Sequence, residues 1–598
     1  MAGRRAADAG VRDAADAALT WDALFERSRQ IRSKYQDRLK RDDEFAVADP
    51  AVISEVFVEV ARRLFDDPDR LRKAQISLSE DYARLWQAIE AATKGEKSPP
   101  LIEPDKLDRR FKDSAWTDIP VFDAVKQYYL LTARWLEAIV REAEGLDDKT
   151  RRKAEFYIRQ FISAMAPTNF VATNPVVLRA AKESDGWTLR KGFANMLDDL
   201  ERGKGKLRIS LTDPQAFVLG ENIAATPGKV VYENDLMQLL QYAPTTDTVH
   251  RRPLLIVPPW INKYYVLDLQ PRNSFLRWAV AQGHTVFVIS WVNPDQRLSH
   301  KRFDDYMLEG PLAALDAVRA ATGEREVNAL GYCIGGTLLA CTLACMAAKG
   351  DRRVRSATFF TTMVDFSEPG ELGVFIDERQ IALLEKHMDA AGYMDGSTMA
   401  QVFNLLREND LVWSSFVNNY LLGKDLPPFD ILYWNADSTR MPAMMHKFYI
   451  RWMYLNNRLV EPGGITIDGT PVDLTRIRVP VYILAAREDH IAPWRSTFAA
   501  TGHYAGPVRF VLAASGHIAG VINPPAANKY CYWTRSRMVK SPETWLKGAT
   551  RHEGSWWSDW GGWVGRCGGG SVPARIPGAG ALPSIEDAPG RYVKMRSD

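Results

Sequence analysis

A cysteine in this sequence lies where the local pattern places a catalytic nucleophile. Residues 331–337 read GYCIGGT, after a short apolar stretch typical of a buried strand and before a small-residue stretch typical of a helix. A strand, a sharp turn and a helix in this order lift the side chain at the turn above the sheet. Gly331 and Gly335 flank Cys333, as expected if a Cβ at either position would collide with a neighbouring element. Cys333 is therefore the candidate nucleophile.

A nucleophilic thiol needs a base within hydrogen-bonding reach and a third group that orients the base. Among nine histidines, only His517 lies in a small-residue loop directly after a strong predicted strand, and Asp489 follows an earlier strand. The chain order nucleophile, acid, base is that of the α/β-hydrolases, so we predict a triad of Cys333, His517 and Asp489. His490 and Glu488 are the competing base and acid. We interpret His490 as a packing or loop-fixing group and expect Glu488 to face away from Asp489.

The oxyanion that forms during acyl transfer requires two hydrogen-bond donors. One is expected to be the backbone N–H of Ile334, directly after the nucleophile. The other is expected from the loop after the first core strand, residues 258–265 (PPWINKYY), which two prolines stiffen. Trp260 or Ile261 would present this amide, and we assign it to Ile261.

A thiol nucleophile indicates the class of reaction. An acyl group moved from a thioester to a serine becomes an oxygen ester and loses its activation, whereas on Cys333 it stays a thioester that a second alcohol can attack. The sequence therefore favours a transferase that builds oxygen esters from an acyl thioester, with coenzyme A as the expected carrier. The other cysteines show no zinc-type spacing, and we interpret Cys341 and Cys345 as packing residues. No metal and no organic cofactor are expected.

The elements that must position these residues form an alternating pattern from about residue 250 onward. Short apolar runs alternate with helical stretches, which predicts a mostly parallel sheet covered on both faces, an α/β fold of the α/β-hydrolase type. The predicted strands are 253–257, 285–291, 327–330, 356–361, 479–485 and 508–512, and the predicted helices are 274–282, 312–320 and 337–348.

A chain of 598 residues is long for one core. We predict a mostly helical N-terminal domain over residues 1–215 and an α/β-hydrolase catalytic domain over residues 216–598. An aromatic stretch rich in Asn and Asp at about 371–450 interrupts the alternation and is interpreted as a cap over the site. The Gly- and Pro-rich stretch from about residue 565 is interpreted as a loose tail. The helical half carries aromatic-rich apolar stripes, which leaves open helix packing or a surface for a lipid or polymer body.

Composition excludes several classes of protein. The net charge of +3 is too near balance to favour nucleic-acid binding, and no run of about 18 apolar residues could span a bilayer. The first eight residues, MAGRRAAD, lack the apolar stretch of a signal peptide. We therefore expect a cytoplasmic protein.

Taken together, the motifs resemble those of the polyhydroxyalkanoate synthases, most closely the single-subunit class I enzymes. The resemblance extends from about residue 108 to residue 592. It rests on residues 331–337 (GYCIGGT), 258–265 (PPWINKYY), 290–295 (SWVNPD), 489–494 (DHIAPW), 515–520 (SGHIAG) and 554–560 (GSWWSDW).

This resemblance implies an (R)-3-hydroxyacyl-CoA substrate, with 3-hydroxybutyryl-CoA preferred, and a growing polyester as product. It also implies a homodimer on the surface of a polyester granule, where phasin-type proteins are potential partners. Cys333 would carry the chain covalently, His517 would deprotonate it, and Asp489 would either support His517 or help to activate the incoming 3-hydroxyl. Two alternatives stay open: a thioesterase or polyester depolymerase of the same fold, and a granule-coating protein without catalysis.

Overall fold

The computed structural model describes residues 19–41, 49–96 and 99–597. The first eight residues, from which we expect no signal peptide, lie outside these ranges. The described residues divide into two compact units. The first contains the residues up to Asp213 together with Phe403–Pro427, and the second contains Pro214–Val402 together with the residues from Pro428 onward.

The first unit is helical, and its helix starts follow from the sequence. Prolines occupy the first position of four helices, where a missing N–H costs no hydrogen bond. Asp49, Asp147 and Asn174 accept hydrogen bonds from first-turn backbone N–H groups. The helices are α1 (Trp21–Arg41), α2 (Pro50–Asp66), α3 (Pro68–Thr93), α4 (Ala115–Asp118), α5 (Pro120–Glu142), α6 (Asp148–Ala164), α7 (Pro175–Glu183) and α8 (Trp187–Arg202).

One of the aromatic-rich stripes of the helical half lies on α3, where part of it packs and part of it faces solvent. Leu85 is buried, and the Tyr82 ring stacks on that of Tyr128 in α5 with centroids 4.9 Å apart. Trp86, by contrast, is 70% exposed. The stripe therefore contributes to helix packing without being wholly covered by it.

The stretch at about 371–450 is not a single body, which corrects its interpretation as one cap. Its middle part, Phe403–Pro427, belongs to the first unit. There a Cβ on Gly192 of α8 would lie 2.0 Å from the backbone oxygen of Tyr420, so the two backbones touch. The Tyr420 hydroxyl donates to Asp199 over 2.5 Å, across 221 residues of sequence. Such a contact leaves no local pattern, because both partners are ordinary aromatic and acidic residues.

The strands of the second unit fall into one large sheet and three small ones. They are β1 (Gly228–Glu233), β2 (Met237–Tyr242), β3 (Thr248–His250), β4 (Leu254–Val257), β5 (Val286–Trp291), β6 (Val327–Tyr332), β7 (Val354–Phe360), β8 (Tyr393–Met394), β9 (Met441–Pro442), β10 (Thr466–Ile467), β11 (Thr470–Pro471), β12 (Val481–Ala486), β13 (Val508–Ala513), β14 (Cys531–Thr534), β15 (Thr550–Glu553), β16 (Ser571–Pro573) and β17 (Glu586–Asp587). The large sheet has eleven strands in the order β15-β14-β13-β12-β7-β6-β4-β5-β2-β1-β17.

The six predicted strands are confirmed as the parallel centre of this sheet, β5-β4-β6-β7-β12-β13. The antiparallel strands β1, β2, β14 and β15 were not predicted. Of these, β2 is completely buried but carries Gln238 and Gln241, which interrupt its apolar character. Strands β14 and β15 are partly exposed and carry polar side chains, so they do not form continuous apolar runs.

Helices cover both faces of the sheet, as predicted for the α/β-hydrolase type. Alternate residues of β4 contribute to two separate apolar cores: Leu254 and Ile256 to one, Leu255 and Val257 to the other. The helices of this unit are α9 (Phe275–Ala281), α10 (Phe303–Met307), α11 (Ala313–Thr322), α12 (Ile334–Ala348), α13 (Glu378–Ala391), α14 (Gly396–Leu406, which continues into the first unit), α15 (Asp430–Ala436), α16 (Ala443–Phe448), α17 (Trp494–Ala499), α18 (Pro542–Lys547) and α19 (Trp557–Arg566).

The C-terminal stretch is not the loose tail that its Gly and Pro content predicts. Strand β16 pairs with β3, and β17 adds an outer strand to β1 at one edge of the large sheet. Val593 is buried in the core that contains Leu254. Backbone pairing with distant strands therefore orders a segment whose composition alone indicates a coil.

Within residues 19–41, 49–96 and 99–597, every helix is too short or too polar to cross a bilayer.

Candidate active site

Cys333 occupies the turn between β6 and α12, and its backbone is strained there. Its φ of 53° and ψ of −126° lie in a region that L-residues rarely adopt. A Cβ on Gly331 would lie 2.4 Å from the Cα of Gly336, and one on Gly335 would lie 2.3 Å from the carbonyl oxygen of Val257. The two glycines are thus needed for close approach, as the sequence indicates, and the Cys333 side chain remains partly exposed.

His517 and Asp489 lie in the loops after β13 and β12 and form a buried pair. The Nδ1 atom of His517 is 2.7 Å from Oδ2 of Asp489. The other carboxylate oxygen accepts hydrogen bonds from the backbone N–H groups of Ile491 (2.9 Å) and Ala492 (2.8 Å). Both oxygens therefore have partners, and the carboxylate is held in one orientation. Because Asp489 engages Nδ1, Nε2 is the ring nitrogen left to interact with Cys333, which acts on the imidazole.

The surroundings of His517 favour its protonated form. Burial by itself lowers the pKa of the imidazole, but the attraction and hydrogen bonds of Asp489 and Cys333 outweigh that effect and raise the pKa to about 10. The ring is 6% exposed and stacks on Tyr332 with centroids 5.7 Å apart. The Tyr332 hydroxyl donates to the backbone oxygen of His517 over 3.2 Å. The imidazole can therefore hold a proton beside the sulfur while its ring stays fixed.

The competing residues Glu488 and His490 adjoin Asp489 in the chain but are less buried than Asp489 and His517. The Glu488 side chain is exposed, whereas that of Asp489 is buried, in agreement with the expectation that they face opposite ways. His490 is partly buried on the same loop. The structure thus brings together Cys333, His517 and Asp489.

The loop expected to supply the second oxyanion donor lies directly beside the nucleophile turn. A Cβ on Gly335 would also lie 2.4 Å from the carbonyl oxygen of Pro258, so the start of this loop touches the start of α12. The indole N–H of Trp291 donates to Pro258 over 2.9 Å. Ile334 is the first residue of α12, where backbone N–H groups have no partner in a preceding turn. Ile334 thus adjoins Cys333 in the chain, and the loop containing Ile261 begins in contact with the first turn of α12.

Among the residues that the structure describes, no group of His, Cys, Asp and Glu side chains could hold a metal ion. Cys341 and Cys345 are buried in one of the two apolar cores of the second unit.

With this geometry established, comparison with known proteins identifies the family. Residues 107–279 match the model described as "Poly-beta-hydroxybutyrate polymerase (PhaC) N-terminus", and residues 253–524 match the model of the α/β-hydrolase fold. A poly(3-hydroxyalkanoate) polymerase of Methylorubrum extorquens is 51% identical over 91% of this chain and 90% of its own length. A poly(3-hydroxyalkanoate) polymerase subunit PhaC of Rhizobium meliloti is 52% identical over 90% of this chain and 88% of its own length.

The chain belongs to the poly(3-hydroxyalkanoate) polymerase family. It is an acyltransferase with an α/β-hydrolase catalytic fold. Among solved structures, a hydrolase from Pseudomonas aeruginosa is 15% identical, covering 50% of this chain and 95% of its own, with a TM-score of 0.30 that carries no further weight.

Two further tyrosines lie near the nucleophile and were not identified from the sequence. Burial, and after it the charge of Cys333, raises the pKa of Tyr454. Burial, then Tyr454 and then Cys333, raises the pKa of Tyr449. Both lie on the helical segment Tyr449–Leu455, more than 100 residues after Cys333 in the sequence. No spacing rule connects them with the turn, so only the fold reveals their position.

Proposed function

We propose that the chain polymerises (R)-3-hydroxyacyl-CoA, with 3-hydroxybutyryl-CoA preferred, and releases CoA. The observation that carries this proposal is the buried hydrogen-bonded pair of Asp489 and His517, whose imidazole interacts with Cys333 on a strained turn, in a member of the polymerase family. A cysteine in this position keeps the bound acyl group activated for a further transfer.

The proposed reaction proceeds in two acyl transfers. His517 accepts the proton of the Cys333 thiol, and the sulfur attacks the thioester carbonyl of the substrate. A new carbon–sulfur bond forms, the bond to the CoA sulfur breaks, and CoA leaves with the proton from His517. The 3-hydroxyl of another acyl unit then attacks the Cys333 thioester and gives its proton to the imidazole. A carbon–oxygen ester bond forms, the bond between the acyl carbon and the Cys333 sulfur breaks, and the sulfur leaves as a thiolate that the imidazolium can reprotonate. The polymer thereby grows by one unit.

Asp489 is proposed to orient His517 and to stabilise the imidazolium. Its Oδ2 is 2.7 Å from His517 Nδ1, and its Oδ1 accepts two backbone hydrogen bonds. A carboxylate engaged on both oxygens is poorly placed to take a proton from a substrate hydroxyl. This engagement favours the supporting role over direct activation of the 3-hydroxyl.

The backbone N–H groups of Ile334 and Ile261 are proposed to stabilise the oxyanion in both transfers. The two residues belong to segments that approach each other closely at Gly335, two residues after the nucleophile. Removal of a single donor of this kind costs about 100-fold to 1,000-fold in rate in enzymes generally.

Further expectations follow from the polymer product. The reaction as proposed needs no bound metal or organic group, since acid, base and nucleophile are all side chains. A cytoplasmic protein at the granule surface, a homodimer, and phasin-type partners remain predictions.

The proposal is tested by incubating the protein with 3-hydroxybutyryl-CoA while free thiol and turbidity are recorded together. We expect CoA release and turbidity to rise in step. Cys333→Ser is expected to keep the fold but to lose roughly 100-fold in turnover, because a hydroxyl is a far weaker acid than a thiol and its acyl product is no longer a thioester. Cys567→Ala, at a second partly exposed free cysteine, is the matched control and should behave as wild type.

Two results would contradict the proposal. Release of CoA with soluble hydroxy acid and no turbidity would indicate a thioesterase or depolymerase. Undiminished polymer synthesis by Cys333→Ser would rule out a thioester intermediate on Cys333.

A further inference from the structure

The half-buried Ser597 joins a polar cluster within the second unit whose inner side chains are buried. The Ser597 hydroxyl donates to the backbone oxygen of Ser438 over 2.8 Å and accepts from Asn293 Nδ2 over 3.1 Å. The Arg440 guanidinium donates to the backbone oxygen of Ser597 over 2.6 Å. The Arg440 backbone N–H donates to Asn293 Oδ1 over 2.9 Å. Three segments that are distant in sequence thus meet at Ser597, and Asn293 bonds to both of the others.

The middle segment of this cluster also binds the loop beside the nucleophile. The Thr439 backbone N–H donates to the carbonyl oxygen of Ile261 over 3.2 Å, and the Thr439 hydroxyl donates to that of Trp260. Ser438 pairs with Asn262 in an isolated antiparallel bridge. The three consecutive loop residues at 260–262 are therefore each bound by Ser438 or Thr439.

The inner side chains of this cluster are buried. Asn293, Ser438 and Thr439 are 4%, 6% and 3% exposed. The neighbouring Arg596 guanidinium donates to the Tyr433 hydroxyl in α15 over 3.2 Å, which gives the C-terminal segment a second attachment. Asn293 belongs to the SWVNPD stretch at 290–295, which the proposed reaction does not otherwise use.

We propose that Arg596 and Ser597 are positioning residues for the acyl transfers. Arg596 attaches the C-terminal segment to Tyr433, and Ser597 holds Ser438. Ser438 and the adjacent Thr439 in turn hold the Ile261 loop in the geometry that stabilises the oxyanion. The inference rests on the proposed function in that it takes Ile261 as an oxyanion donor. An irregular loop has no helix or strand ladder to fix its amides, so its precision depends on such side attachments. A displacement of about 1 Å at a reacting group can cost about 100-fold in rate.

The test compares two reactions of Cys333 in the full chain and in a chain shortened by a stop codon at position 595. p-Nitrophenyl acetate acylates the sulfur through an oxyanion and releases p-nitrophenolate, whereas iodoacetamide alkylates it by displacing iodide, with no oxyanion. We expect shortening to slow the acylation burst about 10-fold to 100-fold and to leave alkylation within twofold of wild type. Ser597→Ala should show the same selectivity to a smaller degree. Lys594→Ala, at an exposed neighbouring side chain, is the control.

Thr439 links the C-terminal segment to the loop, so it supplies a second variant. Thr439→Val should reproduce the selective loss, Thr439→Ser should restore the acylation rate, and Thr439→Val in the shortened chain should be no slower than the worse single change. The proposal would be overturned if acylation and alkylation slowed equally, or if neither slowed. It would also be overturned if the rate losses of Thr439→Val and of the shortened chain multiplied fully when combined. Neither reagent requires polymerisation. A protein that shows this selectivity but makes no polymer would therefore contradict the proposed function and leave the positioning role of Arg596 and Ser597 standing.

Discussion

The pair formed by His517 and Asp489 predicts a specific dependence of stability on pH. The buried imidazole has its pKa raised from 6.5 to about 10 by Asp489 and Cys333, against the opposing effect of burial. A group whose pKa is higher in the folded than in the unfolded chain stabilises the fold fully below the unfolded pKa. That stabilisation is lost as the pH rises through the folded pKa. The relevant window therefore runs from pH 6.5 to about pH 10.

The magnitude follows from the size of the shift. At 1.36 kcal/mol per unit, the rise from 6.5 to about 10 corresponds to an upper limit of about 5 kcal/mol in the free energy of unfolding. Asp489→Asn removes the carboxylate charge and leaves a neutral amide, so the effect of burial on the imidazole is opposed only by Cys333. We expect the wild type to lose up to about 5 kcal/mol relative to Asp489→Asn between pH 6.5 and pH 10.

The measurement is denaturant unfolding at half-unit pH steps, followed by tryptophan fluorescence. The buried indoles of Trp556 and Trp557 donate to Gly520 and Val521, close to His517, and report on this part of the second unit. Glu488→Gln is the matched control, because it removes the adjacent but exposed carboxylate. If Asp489→Asn and Glu488→Gln followed the same pH curve as wild type, the argument from the buried ion pair would be refuted.

Two further changes test the packing that supports the site. Gly335→Ala places a Cβ 2.3 Å from the carbonyl oxygen of Val257 and should lower the free energy of unfolding, measured by thermal unfolding, by about 1–3 kcal/mol or more. Gly502→Ala is the control: no atom lies within 4 Å of its added Cβ, so the free energy of unfolding should change by less than about 1 kcal/mol. Equal effects of the two changes would count against the close approach at Gly335. Asp437→Asn breaks a buried ion pair with Lys263 (2.7 Å) and should lower the free energy of unfolding by about 3–5 kcal/mol. Asp425→Asn is the control, because the Asp425 carboxylate pairs with Lys191 but is 89% exposed, and it should cost at most about 1 kcal/mol. A smaller loss at position 437 than at 425 would contradict the assignment of a buried ion pair.

The centre of the fold was predictable because parallel strands buried on both faces form continuous apolar runs. Strand β6, for example, is buried at every position, and the sequence prediction starts at the same residue. The outer strands were missed for the opposite reason. The fully buried β2 contains Gln238 and Gln241, and the Gln238 side-chain amide donates to Glu233 and Glu586, a pairing that only the folded sheet supplies.

The candidate site divides in the same way between local and distant information. Cys333, Asp489 and His517 each lie in a loop after a strong strand, so chain order was enough to select them. The contribution of Ser438 and Thr439 to the Ile261 loop crosses more than 170 residues of sequence. Contacts between segments that far apart depend on the whole fold, and no motif in either segment indicates them.

The pairing of β1 with β17 has a consequence for how the protein is made. Lys229 and its partner Asp587 are 358 residues apart, so the outer edge of β1 has no neighbour until nearly the whole chain has left the ribosome. At about 5–20 residues per second this delay lasts tens of seconds. Unpaired strand edges are templates for association between chains. Nascent chains are therefore expected to need chaperone protection during this interval, and products of premature termination to accumulate as aggregates.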